Sequence, residues 1–216
     1  MHSWERLFWW WNTVSHSACS RPELERAQIR TELISPDDER ITYALLLPGI
    51  NVGGHSLLPM TVLRDILIGL GFSDVRTYLQ SGNAVFTTSL TATQVVSTAG
   101  KALGEILGRD LAVVVRTAEQ LVAVVQGWPF DRAADPTTKH VMFLQQASDG
   151  ENLGEMPQGT AEQYWVCGTH IYLYLPGGMG RSKLGASVTR RLARTGATAR
   201  NWNTVSALRD MASERS

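Results

Sequence analysis

The chain has 216 residues, of which 44% are hydrophobic and 19% charged, with 20 basic side chains against 20 acidic ones. That length and composition suit one large domain or two small fused ones with a real core, and they exclude a disordered chain. A formal net charge of zero counts against a protein that lives on the nucleic-acid backbone, where a positive surplus is needed. No run approaches the roughly 18 apolar residues of a membrane span. The two cysteines, Cys19 and Cys167, stand far apart and in no metal-ligand spacing, and the five histidines form no metal motif. No metal and no cofactor is therefore expected, and a reducing cytoplasm is the default location.

Residues 1–40 differ from the rest. The apolar cluster Leu7-Phe8-Trp9-Trp10-Trp11 is shorter than the ~7–15-residue core of a secretory signal. The segment reads as a loose N-terminal extension. From residue 41 the order is clear. Residues 41–47 form a continuous apolar run ending at Pro48-Gly49, which predicts a buried strand. A glycine-rich loop follows. Pro59 then suits the first position of a helix, where its missing N–H costs nothing, and Leu63, Ile66, Leu67 and Leu70 give that helix one apolar side. Residues 75–79 and 84–88 pair as a hairpin around Ser81-Gly82-Asn83. Thr91 opens a second helix, and residues 111–115 form a fourth strand. The order β-α-β-β-α-β is the split pattern of a ferredoxin-like unit.

Residues 118–216 partly repeat this order. A short helix over 121–125 leads through a polar loop to a strand over 140–144. Residues 164–167 and 171–175 form another hairpin, around Gly168-Thr169. A helix starts near Ser182, residues 197–202 make an edge strand, and a last helix covers 204–211. The helix between the fifth and sixth strands is missing or reduced. The predicted fold is α+β, with two ferredoxin-like halves over 41–117 and 118–216, the second incomplete. Its sheets are mainly antiparallel, with helices on one face.

Four polar patches fall where strands meet loops or helices. Asn51-Val52-Gly53-Gly54 lies between the first strand and the first helix. Glycines let a ligand approach the backbone closely, and the N–H groups of a helix start favour anions. The spacing fits neither a phosphate-binding Walker loop nor a dinucleotide fingerprint. Tyr78, Gln80, Ser81 and Asn83 crowd a hairpin tip with hydrogen-bonding side chains. Arg181-Ser182-Lys183 feeds two cations into a helix start, and Arg200-Asn201-Trp202-Asn203 mixes a guanidinium, two amides and an indole. Each patch alone has a plainer reading: Asn51 and Ser81-Gly82-Asn83 as turn chemistry, Ser182 or Asn203 as helix caps, Trp202 as a packed aromatic. Four such junctions together are more than turns require.

These residues carry a resemblance. Leu45-Leu46-Leu47-Pro48-Gly49-Ile50-Asn51-Val52-Gly53-Gly54, then Leu58-Pro59-Met60, then residues 75–86 from Val75 through Gln80-Ser81-Gly82-Asn83 to Phe86 resemble the bacterial domain-of-unknown-function family 1697. Gly180-Arg181-Ser182-Lys183-Leu184 and residues 199–205 are similar to that family's C-terminal motifs. The resemblance spans roughly residues 41–212. It implies an α+β fold of ferredoxin-like arrangement and no established activity. This chain departs from the family's pattern at Pro48 (usually Arg), at His55-Ser56-Leu57 (usually basic or amide-rich) and at Ala199 (usually Thr). Replacing Arg by Pro removes five donors and a fixed charge, which points to a less anionic ligand here.

Arg181, Lys183 and Arg200 are candidates for a cationic wall facing a carboxylate, phosphate or enolate. Tyr78 is a candidate general acid, Lys183 a candidate Schiff-base amine, and His55 a candidate acid or base. Asn51, Gly53, Gly54, Gln80, Ser81, Asn83, Ser182, Asn201, Trp202 and Asn203 are candidate ligand contacts. Unlike polar groups gathered without a metal suggest a cofactor-independent cyclase, isomerase or lyase acting on a small polar molecule, in the setting of bacterial secondary metabolism. The alternative is a non-catalytic small-ligand or nucleotide-binding protein. A third reading, RNA contact through sheet aromatics, is disfavoured by the neutral charge. The sequence carries no signal for an oligomeric state.

Overall fold

The computed structural model describes residues 40–51, 58–153 and 160–214. The N-terminal extension and the loop residues Gly53, Gly54 and His55 lie outside the described residues. The first half runs β1 (Ile41–Leu46), α1 (Met60–Gly69), β2 (Ser73–Tyr78), β3 (Asn83–Thr88), α2 (Ala92–Leu107) and β4 (Val114–Thr117). Its strands form an antiparallel sheet in the order β2-β3-β1-β4. The second half runs α3 (Ala118–Gln126), β5 (Lys139–Phe143), β6 (Gln163–Cys167), β7 (His170–Tyr174), α4 (Lys183–Arg191), β8 (Thr198–Asn201) and α5 (Trp202–Ser213). Its sheet has the order β6-β7-β5-β8, also antiparallel, so β5 stands where β1 stands in the first. Among the described residues, the place of α1 is taken in the second half by one 3₁₀ turn, Glu151–Leu153.

The strand pattern explains the layering. Alternate residues of a strand face opposite sides. On β1, Tyr43 and Leu45 face an outer core with Leu63 and Leu67 of α1 and Val95, Ala99 and Leu103 of α2. Ala44 and Leu46 face the other way, into a core shared with Val141, Phe143 and Tyr172 of the second sheet. Leu121 and Val124 of α3 and Val205 and Leu208 of α5 fill that shared layer. Met142, Ile171 and Leu173 turn to the far side, against Leu184 and Val188 of α4. The connecting helices α1 and α2 thus lie on one face of the first sheet and α4 on one face of the second. The helices that follow β4 and β8 form an added layer between the sheets. Burial on both faces is why β1 reads as an unbroken apolar run rather than an alternating one.

Local chemistry sets the helix starts. Thr91 and Thr117 each make a capping box, with Gln94 and Gln120 respectively. Ser182 caps α4 through Gly185 N–H, and Asn201 caps α5 through Thr204 N–H. Asn201 rather than Asn203 is the cap of the last helix, which therefore starts two residues earlier than the apolar pattern indicates. β4 starts at Val114, later than expected, because its ladder partner β1 ends at Leu46, opposite Val114.

Candidate functional site

The loop after β1 is closed at its base by one side chain. Asn51 sits in the left-handed backbone region at φ 57°, where Asn is among the few tolerated residues. Its Nδ2 donates to Leu58 O at 2.8 Å and to Gln80 O at 2.7 Å, and its Oδ1 accepts from Leu58 N–H at 3.0 Å. The amide thus stands in for a backbone partner. It draws residues 51 and 58 together and ties both to the β2–β3 hairpin. Ile50 and Leu58, both nearly fully buried, anchor the two ends from below. Beyond Leu58, Pro59 stands at the N-cap position of α1, just ahead of its first residue Met60, and provides no side-chain cap. Among the described residues, the other four α-helices are all capped by a side chain.

The hairpin tip is braced from inside by Asn83, whose side chain is completely buried. Its Nδ2 donates to Tyr78 O and to Ser81 Oγ, both at 2.9 Å, and its Oδ1 accepts from Arg200 Nε at 2.6 Å. Gly82 has φ 76°, and a Cβ there would lie 2.9 Å from Leu47 Cβ, so the tip needs glycine at that point. Leu79 and the Gln80 side chain point to solvent. The Gln80 amide makes no hydrogen bond among the described residues.

Arg200 is a clamp rather than a free cation. Nε bonds Asn83, Nη1 donates to Thr198 Oγ1 and Ala199 O, and Nη2 donates to Leu47 O and Ser81 O. All five N–H donors are used within the protein. Burial pulls its pKa down to about 10, so it stays charged at neutral pH. Arg200 leaves the inner face of β8. Arg181 and Lys183 belong to the segment entering α4, which packs on the opposite face of that sheet. The structure therefore does not assemble these three cations into one wall.

The remaining candidates fall into three places. Asn51, Gln80, Ser81 and Asn83 converge on the loop base and hairpin tip. Tyr78 pairs across the ladder with Asn83 and packs toward the shared core between the sheets. Ser182 and Asn201 act as caps and Asn203 is exposed. Trp202 packs edge-to-face on Trp128 at 5.0 Å, and Lys139 Nζ lies 5.6 Å from its ring centroid. Gly53, Gly54 and His55 lie outside the described residues. Among the described residues no three His, Cys, Asp or Glu side chains gather as metal ligands.

Arg116 is a residue that sequence reasoning missed. It precedes the cap Thr117 of α3 as Arg200 precedes the cap Asn201 of α5, and that repeat is its signal. Its Nη2 donates to Leu144 O and Thr169 O, both at 2.7 Å. The end of β5 that it holds borders an open cleft of about 520 Å³, whose walls include Leu144, Gln145, Ser148, Leu192, Arg194 and Thr195.

Over residues 41–172, more than half of the chain, the sequence matches the model of a family described as "Protein of unknown function (DUF1697)". The segments 180–184 and 199–205 fall beyond that match. The fold is similar to that of a conserved bacterial protein from Streptococcus pneumoniae, with a TM-score of 0.64 and 22% identity, over 81% of this chain and 99% of that one. That likeness concerns the fold alone. The chain matches no curated protein.

Proposed function

The chain belongs to the DUF1697 family, which brings no activity with it, and from the site itself we propose that the protein binds a small polar ligand at the loop closed by Asn51. The carrying observation is the triple bonding of the Asn51 amide to Leu58 and Gln80. It fixes a glycine-containing loop at its base, beside an exposed amide on the hairpin tip and ahead of a helix start that Pro59 leaves without a side-chain cap. Loops pinned on rigid elements are a common location of binding groups, and helix-start N–H groups add a preference for a negatively charged or carbonyl-bearing part of the ligand.

Both faces of each sheet are covered by helices or by the other sheet's core. Among the described residues that leaves no open sheet face for stacking bases and weighs against RNA contact. No described helix is long and apolar enough to cross a membrane. The ligands on this reading are soluble metabolites.

The test is an amide NMR titration of the full chain with a panel of nucleotides, sugar phosphates and dicarboxylates. Saturable shifts centred on Asn51, Leu58, Gln80 and Ser81 are expected, and shifts absent there or scattered elsewhere would defeat the proposal. The same samples separate simple binding from turnover of the cyclase, isomerase or lyase kind, because product signals would grow with time.

A further inference from the structure

Arg116 and Arg200 are equivalent residues that exchange between the halves. Arg116 pairs with Ala44 on β1, and Arg200 pairs with Val141 at the matching position of β5. Each crosses to the other half and bonds the carbonyl that follows its first strand, Leu144 O or Leu47 O. Each also bonds a carbonyl of the other half's hairpin, Thr169 O or Ser81 O. The backbone beneath repeats too: Leu47 N–H donates to Gly82 O at 2.8 Å, and Leu144 N–H donates to Thr169 O at 2.9 Å.

The two arms differ at Nε, and at Nη1, where Arg200 holds Thr198 Oγ1 and Ala199 O but Arg116 holds Val115 O alone. Arg200 Nε is held by Asn83, the first residue of β3, which pairs with Leu46. The matching residue in the second half is His170, the first of β7, which pairs with Phe143. There Arg116 Nε has no partner and His170 Nε2 has none either, although both are buried. Buried polar atoms are rarely left this way. His170 is faced by Phe143 from β5, the disulfide-bonded Cys167 from β6, the edge of the Tyr172 ring at 4.8 Å and, as the charge that bears on it, Arg116 from β4. No described carboxylate offsets a second positive charge at this point.

We propose that Arg116 and His170 make the β6–β7 hairpin an acid-releasable arm of the interface, while the Asn83–Arg200 arm stays closed. While the imidazole is neutral, Arg116 lies beside it without repulsion. A proton taken from solvent onto Nε2 sets two cations side by side in a desolvated place. Moving the hairpin tip into water relieves this by breaking the bonds of Thr169 O to Arg116 and Leu144, and of Gly168 O to Ser148 N–H. Leu144 and Ser148 form one wall of the 520 Å³ cleft, so release reshapes that cleft. Burial and the Arg116 charge both hold the imidazole pKa down, at about 4, which sets the acid range in which the arm opens.

Amide hydrogen exchange of the full chain, corrected for the intrinsic pH dependence, reads the two arms separately. With the imidazole returning to its ordinary pKa when released, protection at Leu144 and Ser148 should fall roughly 20-fold between neutral pH and about pH 5. Leu47, the matching amide of the closed arm, should keep its protection. His170→Asn supplies the residue found at Asn83 and cannot titrate there, so the fall at Leu144 and Ser148 should vanish. An equal fall at Leu47 and Leu144, or an unchanged fall in His170→Asn, would overturn the proposal. The His170 ring signal of the unmodified protein is an independent check, since titration near pH 6.5 instead of below about pH 5 would overturn it as well.

Discussion

Asn83 and Arg200 lie 117 residues apart in the chain, and in the fold Arg200 Nε donates to Asn83 Oδ1 across 2.6 Å in a buried site. The bond joins the head of β3 to β8 and so fastens one sheet to the other. Its strength depends on the whole set, because the same guanidinium satisfies Leu47 O and Ser81 O. Arg200→Met keeps most of the stem volume but strands these three acceptors. We expect a loss of about 3–5 kcal/mol. Arg200→Lys keeps the charge with three donors instead of five, and should lose roughly 2 kcal/mol. Urea unfolding measures both. A Met variant within about 1 kcal/mol of the parent would show that the clamp does not hold the halves together.

Asn51 combines a backbone role with a side-chain role, and two substitutions separate them. Asn51→Gly accepts φ 57° freely but removes the three amide bonds. It should cost about 1–2 kcal/mol and speed exchange of the Leu58 amide. Asn51→Ala adds the strain of the left-handed region, roughly another 1 kcal/mol. Equal stabilities of the two variants would mean that the backbone at this position carries no strain.

Strands such as β1, β3 and β7 were readable because they are short, largely apolar and bordered closely by Gly, Pro or Asn. The apolar run of β1 and the caps Thr91 and Ser182 are local signals, and they sit where the residues indicate. The site was readable in part. Asn51, Gln80, Ser81 and Asn83 stand together because they lie on two loops at the same end of one sheet. Grouping Arg200 with Arg181 and Lys183 rested on nearness in the chain. Alternation along β8 instead sends Arg200 through the inner face, away from α4, and its donors meet carbonyls more than a hundred residues distant. Nothing local announces such partners. Arg116 was overlooked for the same reason, as the two carbonyls that its Nη2 holds belong to the other half.

Gly82 and Gly49 both have positive φ, 76° and 61°, but their surroundings differ. A Cβ at Gly49 meets nothing within 4 Å, whereas one at Gly82 lies 2.9 Å from Leu47 Cβ and 3.3 Å from Ile50 Cβ. Gly49→Ala should therefore cost about 1 kcal/mol, the strain alone. Gly82→Ala adds a clash against fully buried neighbours and should cost roughly 2–4 kcal/mol. Thermal unfolding of the two variants tests the difference, and equal losses would show that Leu47 and Ile50 yield without penalty.

Two histidines tie overall stability to pH. His140, on β5, is held below the ordinary imidazole range chiefly by burial, and its Nδ1 has no partner. His170 is held down to about 4 by burial first and the Arg116 charge second. For both groups the unfolded chain binds the proton more readily than the folded one. The unfolded state thus carries more protons between the folded pKa and the unfolded value near 6.5, and stability rises with pH across that window. Their contribution is fully present above about pH 6.5 and is lost as the pH falls toward the folded pKa, at about 4 for His170. For His170 alone the loss is roughly 3 kcal/mol. Urea midpoints taken at several pH values between about 7 and 4 should fall steadily while the slope of the transition stays constant. Replacing both histidines by Asn should flatten the curve above about pH 4.5, where ordinary carboxylates are still ionised. A curve of unchanged steepness in that double variant would assign the acid sensitivity to other groups.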